Sequence, residues 1–448
     1  MRSRLAALCA AIVVAGSLPA VTAGAHAAAG AGQGALQNAA KPGPKDRFYS
    51  YTGKKPLKKI ARGTVLKTRT VPYSIQGLPL PLQAVQVLFR TVNQRGLAVV
   101  GATSVIRPIL PVSPSARVVS YQSFYDSLNP ADQPSVAIAG GQGIGPAIAN
   151  VETAVFAPAL LAGFSINIPD TEGQTANFAA GPEYGKVTLD SLKAISRAKV
   201  LGLRKAAIGL LGYSGGAIAS EWAAELAPTY APGIAKRIVG TAIGGVLVHP
   251  GHNLHYINGS QTWAGVAPMA LTGIARSFNV NLKPYLNAKG RTIMKKMQKA
   301  SIVEVLGAYP GLTWAKITRP KYRVPESVGV YVRLANKLIM GTGGTPNAPM
   351  FIGQGTGGEL EGTGAHRKYG KGDGVMLAAD VRSLARKYCR KGVTVQHREY
   401  PLSHFTSVAL WLPEAYSWLL ARFSGTAAPS NCSSIKPGNS LAPIKKVK

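Results

Sequence analysis

The sequence predicts an α/β protein with a mostly parallel central sheet and a helical cap inserted into it. Short apolar segments typical of buried strands alternate with helical segments along residues 76–245, and again along residues 346–424. This alternation stops between residues 246 and 345, where Gly and Pro are frequent and helical patterns are scattered. A chain of 448 residues is long enough to bury a large core around one such sheet.

The first 27 residues have the pattern of a signal peptide. Arg2 and Arg4 precede an apolar stretch over residues 5–16, and Ala25-His26-Ala27 fits an A-x-A cleavage site. We therefore expect a secreted protein that is cleaved near Ala27/Ala28.

The two ends of the mature chain are rich in basic and small residues. Residues 28–75 are expected to form a flexible basic leader, and residues 425–448 a basic C-terminal tail. The mature chain keeps two cysteines, Cys389 before this tail and Cys432 within it. An even pair in an exported protein predicts one disulfide, with two separate buried thiols as the alternative.

The chain is strongly basic, with 51 Lys and Arg against 18 Asp and Glu and a formal net charge of +33. No recognition helix, zinc finger or RNP-like motif accompanies this charge, so nucleic acid is not expected as a partner. An anionic membrane or cell-wall surface is the expected partner, and general solubility is the alternative explanation of the charge.

The pentapeptide Gly212-Tyr213-Ser214-Gly215-Gly216 is the strongest functional signal in the sequence. It follows an apolar strand-like run over residues 206–211 and precedes an Ala-rich helical segment over residues 217–226. Strand, G-x-S-x-G and helix in this order are typical of a nucleophile elbow, whose serine lies on a sharp turn at a helix N-terminus. A Gly-rich turn without chemistry is the alternative.

A serine hydroxyl needs a base, and that base needs an orienting acid. In the α/β-hydrolase order the acid and then the histidine follow the serine. His404 lies after the last predicted strand and before the last predicted helix, where such a base is expected. The residues leave two candidates for the acid, Glu359 and Asp373, which both follow the strand predicted at residues 349–353.

Three histidines at spacing three, His249, His252 and His255, invite a metal hypothesis. Their segment contains Pro250 and Gly251 and is expected to be a loop, and no clustered Cys or carboxylate completes a zinc set. We therefore expect neither a metal site nor a cofactor.

Further motifs resemble those of a known family, the secretory lipases of the type represented by Candida antarctica lipase A. The resemblance covers residues 120–423 and is carried by Tyr121-Gln122-x-x-Tyr125-Asp126-Ser127, Pro134-Ser135, Pro169-Asp170-x-Glu172-Gly173, Ala180-Gly181, Leu189-Asp190-Ser191, the elbow, Asn287-Ala288-Lys289-Gly290, Cys389-x-x-Gly392 and Tyr400-Pro401-x-x-His404. The chain departs from the family by an insertion between the strand at residues 349–353 and Asp373.

The resemblance implies an α/β-hydrolase with Ser214 as nucleophile and His404 as base. It places the carboxyl group of Asp126 and the backbone N–H of Gly215 at the oxyanion hole. It also favours Asp373 over Glu359 as the acid, because the family's acid opens the helix that ends in a cysteine.

These expectations together describe a secreted carboxylic ester hydrolase. The predicted activity is that of a lipase acting on acylglycerols at an interface through an acyl-enzyme on Ser214. A short-chain or polymer esterase is the alternative enzyme. A non-catalytic surface-binding protein on the same fold is the alternative of a different class.

Overall fold

A computed structural model of the chain describes residues 46–108 and 116–447. The signal peptide, the leader as far as residue 45 and most of the Pro-rich stretch near residue 110 lie outside the described residues. The strands of the described part form one sheet, and they are β1 (Val65–Ile75), β2 (Leu78–Val92), β3 (Ala98–Ile106), β4 (Arg117–Gln122), β5 (Ser165–Pro169), β6 (Ala207–Tyr213), β7 (Ile238–Gly244), β8 (Met350–Gly355) and β9 (Val395–Tyr400).

The sheet has the spatial order β1-β2-β3-β5-β4-β6-β7-β8-β9. The pairs from β5 to β9 are all parallel, and β1, β2 and β3 form an antiparallel extension that joins β5 at one edge. This mostly parallel sheet confirms the predicted fold class. Parallel sheets of this kind gather ligand-binding residues at the carboxyl ends of their strands.

Part of the expected leader is strand. Residues 65–75 form β1, which pairs with β2 through a two-residue turn at Gln76 and Gly77, where φ is 49° and 82°. Two positive φ values are those of a type I′ hairpin turn, which matches the twist of the two strands. The strand alternates half-buried and exposed residues and carries Lys67 and Arg69, so its basic composition obscured its strand character.

Helices cover both faces of the sheet. The helices of the described residues are α1 (Pro134–Ile138), α2 (Ile144–Val151), α3 (Thr153–Leu161), α4 (Gly181–Arg197), α5 (Gly215–Tyr230), α6 (Pro232–Ala235), α7 (Pro250–Ile257), α8 (Val266–Phe278), α9 (Ala288–Met297), α10 (Ile302–Val305), α11 (Trp314–Ile317), α12 (Gly329–Asn336), α13 (Ala378–Arg390) and α14 (His404–Phe423).

Alternate residues of the central strand β6 pack into two separate core layers, one on each face of the sheet. Ile208 and Leu210 pack with α4, α5 and α13 on one face. Leu211 and Tyr213 pack with α3 and α14 on the other face. Because successive strand residues point to opposite faces, a short apolar run is enough to fill both layers.

The segment from 246 to 345, defined here as the cap, lies between β7 and β8 and contains α7 to α12. Its short helices pack around two apolar clusters, one of which also includes residues of the loop between β8 and α13. The segment 249–253, expected as a loop, is instead largely helical, and Pro250 occupies the first position of α7. Proline is well tolerated there, since that position has no intrahelical N–H bond to lose.

The C-terminal tail runs back over the molecule and ends on the cap. Cys432 is disulfide-bonded to Cys389 of α13, which confirms the predicted disulfide. Beyond it, the main chain at Ile444 exchanges two hydrogen bonds with the side-chain amide of Asn336, each of 2.9 Å. The N–H of Val447 then donates to the carbonyl oxygen of Glu326. The tail therefore joins the core to the outer surface of the cap.

Candidate active site

Ser214 lies on the turn between β6 and α5 in a strained backbone conformation, with φ of 54°. The flanking glycines make this turn possible by close approach. A Cβ atom on Gly216 would lie 1.9 Å from the carbonyl oxygen of Gln122, and one on Gly212 would lie 2.2 Å from that of Gly216. A serine with positive φ between two such glycines is the geometry of a nucleophile elbow.

His404 contacts the Ser214 hydroxyl directly. Its Nε2 lies 2.8 Å from Ser214 Oγ. The residue is the first of α14, one position inside the helix rather than in the loop before it, and Ser403 caps that helix. The helix N-terminus therefore fixes the backbone of the histidine, and Tyr213 supports it by donating its hydroxyl proton to the His404 carbonyl oxygen.

Asp373, rather than Glu359, is the carboxylate beside the histidine. Its Oδ2 lies 2.7 Å from His404 Nδ1 and also accepts from the side-chain amide of Gln354 at 2.9 Å. Its Oδ1 accepts from the backbone N–H groups of Val375 and Met376. Asp373 is fully buried, and four donors therefore hold its carboxylate in one orientation.

Glu359 has a different position. It lies exposed on the short 3₁₀ turn Gly358–Glu361 that follows β8. The structure thus brings Ser214, His404 and Asp373 into one hydrogen-bonded chain and leaves the alternative acid on the surface.

Asp126 lies against the first residue of α5. A Cβ atom on Gly215 would lie 1.8 Å from Asp126 Oδ1, so only glycine permits this contact. Burial raises the pKa of the Asp126 carboxyl to about 8, although the nearby His404 opposes the shift. The carboxyl group is therefore largely protonated at neutral pH and able to donate a hydrogen bond beside Ser214.

Two more buried carboxyl groups lie behind Asp126. Burial raises the pKa of Glu152 to about 8 and that of Glu172 well above its ordinary value, and the charge of Asp126 adds to both shifts. Glu172 also accepts from the backbone N–H of Ser127, which orders the chain next to Asp126. Burial is the largest cause of the raised pKa of Asp126 itself.

Two apolar cavities meet at Ser214. The larger one extends under the cap helices α7, α8 and α12, and its polar lining includes Ser214, Asp126, Asn253 and Tyr331. The smaller one also reaches Ser214, and its lining includes Phe124, Phe405 and Val408. Trp263 of the cap lines both cavities. An ester bond held at Ser214 would therefore have two apolar cavities beside it.

The sequence analysis missed Trp263 and Glu361. The Trp263 ring lies edge-on to the His404 ring, with centroids 5.2 Å apart. Glu361 accepts from the Trp263 indole N–H and from the backbone N–H of Phe405. No local motif separates Glu361 from the exposed Glu359 two residues earlier, so only the fold identifies it.

The three histidines at the start of α7 and within it contact other side chains. His252 Nδ1 lies 3.0 Å from Asp380 Oδ1, and His255 Nε2 lies 2.6 Å from Glu326 Oε1. His249 stacks on His252 at a centroid distance of 3.7 Å. Within residues 46–108 and 116–447, no group of three or more His, Cys, Asp or Glu side chains has the arrangement of a metal site.

Comparison with known proteins shows that the chain is similar to lipases. The family model described as secretory lipase matches residues 145–431. Lipase 6 of Candida albicans is 28% identical over 409 residues, which cover 88% of this chain and 84% of the relative. A relative from Mycobacterium tuberculosis named a probable inactive lipase is 28% identical over 370 residues, covering 81% of this chain and 79% of its own.

The solved structure of Candida antarctica lipase A in its closed state is similar over nearly the whole molecule. Its TM-score is 0.73 at 26% identity, and the match covers 90% of this chain and 91% of that one.

Proposed function

Because the chain belongs to the secretory lipase family, we propose that it is a secreted serine lipase that cleaves acylglycerols through Ser214, His404 and Asp373. One observation carries the proposal. An unbroken chain of hydrogen bonds runs from Asp373 through His404 to Ser214, and it ends at the point where two apolar cavities meet.

Each group has a defined part in the proposed reaction. Ser214 Oγ attacks the ester carbonyl carbon while His404 Nε2 takes the hydroxyl proton, and Asp373 stabilises the imidazolium that forms. The carbonyl oxygen becomes an oxyanion and accepts from the Gly215 N–H and from the protonated Asp126 carboxyl. His404 then gives its proton to the departing alcohol, which leaves an acyl-enzyme. Water, activated by the same histidine, releases the fatty acid and regenerates Ser214.

The apolar cavities support a lipid rather than a small polar ester as substrate. Aliphatic and aromatic side chains of the cap make up most of the wall of the larger cavity. Burial of acyl methylenes there would stabilise the bound ester by about 0.8 kcal/mol each. We place the acyl chain in this cavity and the apolar part of the alcohol in the smaller one.

An exported protein is consistent with the family name, with the N-terminal pattern and with the Cys389–Cys432 disulfide. The cleavage near Ala27/Ala28 is part of the proposal. So is the anionic membrane or cell-wall partner, for which the net charge of +33 is the supporting observation. If this partner is correct, binding to anionic vesicles will fall steeply with added salt, because exposed charges are screened.

A matched set of esters tests the activity. Wild-type protein and Ser214→Ala are assayed on emulsified long-chain triacylglycerol and on p-nitrophenyl esters from two to sixteen carbons. The proposal predicts Ser214-dependent hydrolysis that favours long chains at an interface. A preference for soluble short chains would support the esterase instead.

The alternative of a non-catalytic protein is considered for a specific reason, because one relative is named a probable inactive lipase. A fluorophosphonate probe decides between the two, because it labels only an activated serine. No labelling of Ser214 in folded wild-type protein would remove the enzyme hypothesis.

A further inference from the structure

We propose that Glu361 is a positioning residue that couples the cap to the catalytic histidine. The proposal rests on the function proposed above for Ser214 and His404. It assigns a role to a half-buried carboxylate that is not part of the triad.

The carboxylate of Glu361 joins two parts of the molecule that are far apart in sequence. Its Oε2 accepts from the indole N–H of Trp263 at 2.7 Å. Its Oε1 accepts from the backbone N–H of Phe405 at 2.8 Å. Trp263 belongs to the cap, and Phe405 follows His404 directly at the start of α14. One side chain thus links the cap to the backbone that carries the base.

A carboxylate suits this place better than any other side chain. Two N–H donors converge on it, and a carboxylate accepts from both without offering a donor of its own. The N–H of Phe405 is one of the first-turn groups that have no partner within a helix, and the positive end of the helix dipole favours a negative charge there. An amide in place of the carboxylate would direct its NH₂ group at one of the two donors.

Trp263 transmits the position of the cap to the active site. Its ring stacks on Phe405 with centroids 5.0 Å apart and meets the edge of the His404 ring. The same side chain lines both cavities beside Ser214. A displacement of the cap would therefore move Trp263 and disturb Glu361, Phe405 and the start of α14.

The loop that carries Glu361 is shaped around this contact. Gly374 has φ of +119°, and a Cβ atom there would lie 2.8 Å from Glu361 Oε2 and 2.9 Å from Trp263 Nε1. Gly374 directly follows Asp373, so the bend that carries the triad acid also packs against the Glu361 carboxylate. The loop also joins the cap where Gln261 N–H donates to the Gly362 carbonyl oxygen. The segment between β8 and Asp373 therefore carries Glu361 to its contact with the cap.

The electrostatic consequence can be measured. Burial lowers the pKa of His404, but the charge and hydrogen bond of Asp373 and the charge of Glu361 outweigh it and raise that pKa above its ordinary value. His404 must be neutral to act as base, so activity falls as pH decreases through its pKa. Removal of the Glu361 charge lowers the pKa of His404 and therefore moves this acid limb to lower pH.

The test compares Glu361→Gln, Trp263→Phe and their double variant with Glu359→Gln, a matched change of the exposed glutamate two residues away. The readouts are the rate of Ser214 labelling by a fluorophosphonate as a function of pH, kcat and KM for one ester, and the thermal midpoint. We expect Glu361→Gln to slow labelling about 10- to 100-fold, the usual range for loss of a hydrogen bond to a charged group, and to move the acid limb to lower pH.

We expect Trp263→Phe to slow labelling less and to leave the acid limb in place, because the carboxylate remains. The double variant should lose less than the product of the single effects, since both changes break the same link. Three results would each overturn the proposal. The first is wild-type behaviour of Glu361→Gln, and the second is a fully multiplicative effect in the double variant. The third is a lower thermal midpoint of Glu361→Gln with no shift of its acid limb. Failure of the proposed function would be seen separately, as a wild-type protein that the probe does not label at Ser214.

Discussion

The floor of the active site and its roof are built by different means. The floor consists of Ser214, Asp126, Asp373 and His404, which follow the carboxyl ends of strands or begin a helix. It is polar, and nearly every group in it has a specific hydrogen-bond partner. The roof is the cap, whose side chains facing the serine are mostly apolar and are held by packing.

This difference indicates which amino-acid substitutions the active site tolerates. Loss of one donor or acceptor in the floor should weaken a defined step of the proposed reaction, because hydrogen bonds are directional. Apolar packing in the roof is non-directional, so a changed side chain there alters which ester fits and leaves the chemistry in place. The following predictions test this contrast, in order of decreasing effect.

Substitution of the floor nucleophile should have the largest effect. Ser214→Ala removes the attacking oxygen, and we expect kcat to fall by about 10⁴-fold or more. The hydroxyl is small, and the fold should remain, as circular dichroism and the thermal midpoint will show. Ester hydrolysis close to the wild-type rate would contradict the assignment of the nucleophile.

The acid of the triad should be nearly as important. Asp373→Asn keeps the shape but favours the wrong tautomer of His404, so a loss of up to about 10⁴-fold in kcat is expected. Glu359→Gln serves as its control and should stay within about twofold, because Glu359 is exposed. If Glu359→Gln were the more damaging change, the roles of the two carboxylates would be reversed.

Asp126 should contribute to catalysis as a hydrogen-bond donor, and for this its carboxyl group must be protonated. Asp126→Leu removes a donor at the oxyanion hole and should lower kcat by about 10²- to 10³-fold. The raised pKa of about 8 means that the donor is present below pH 8 and is lost as pH rises through that value. Wild-type kcat should therefore decline on the alkaline side.

Asp126→Asn is the matched variant for this pH effect. Its amide donates at any pH, so it should keep much of the activity and lose the alkaline decline. A pH profile identical to that of the wild type would show that the decline belongs to another group.

A change in the roof should alter selectivity rather than chemistry. Ala270 lines the larger cavity, and Ala270→Phe fills part of it. We expect kcat/KM for sixteen-carbon esters to fall about 10- to 100-fold, which corresponds to the loss of a few methylene contacts, while two-carbon esters change little. Ala288→Phe, at an exposed cap position outside the cavity, is the control. Equal losses for long and short esters would argue against acyl binding under the cap.

The disulfide should affect stability and spare the site. The double variant Cys389→Ser and Cys432→Ser opens a loop of 43 residues and should lower the free energy of unfolding by roughly 3–4 kcal/mol in the chain-entropy model. Activity at 25 °C should remain close to wild type, because neither cysteine contacts the floor or the cavities. Denaturant unfolding followed by tryptophan fluorescence measures the change.

Much of the floor could be predicted from the sequence because it depends on local patterns. The elbow needs a strand, two glycines and a helix in succession, and these are visible in the residues around Ser214. Asp373 could be preferred to Glu359 only by resemblance, because a long loop separates both from β8 and loop paths are not encoded by periodicity. In the structure, Asp373 is the carboxylate that contacts His404.

The roof and the edge of the sheet were harder to predict. The cap helices are short, and their positions follow from packing with partners distant in sequence. The contact between Trp263 and His404 could therefore not be predicted from the residues around Trp263. β1 was hidden by its basic residues and by a Gln76–Gly77 turn, which is less recognisable than the usual Asn-Gly. Glu361 shows the same limit, since its role depends on two donors brought to it by other elements.

The path of the C-terminal tail has a practical consequence for how the protein is produced. The last described residues are bonded to the cap through Asn336 and Glu326. An affinity tag fused after Lys448 would begin directly beside the roof of the active site and compete for these contacts. A purification handle placed after the signal peptide would leave the tail free to take its place. Activity measured on C-terminally tagged protein should therefore not be taken as equal to activity measured on N-terminally tagged protein.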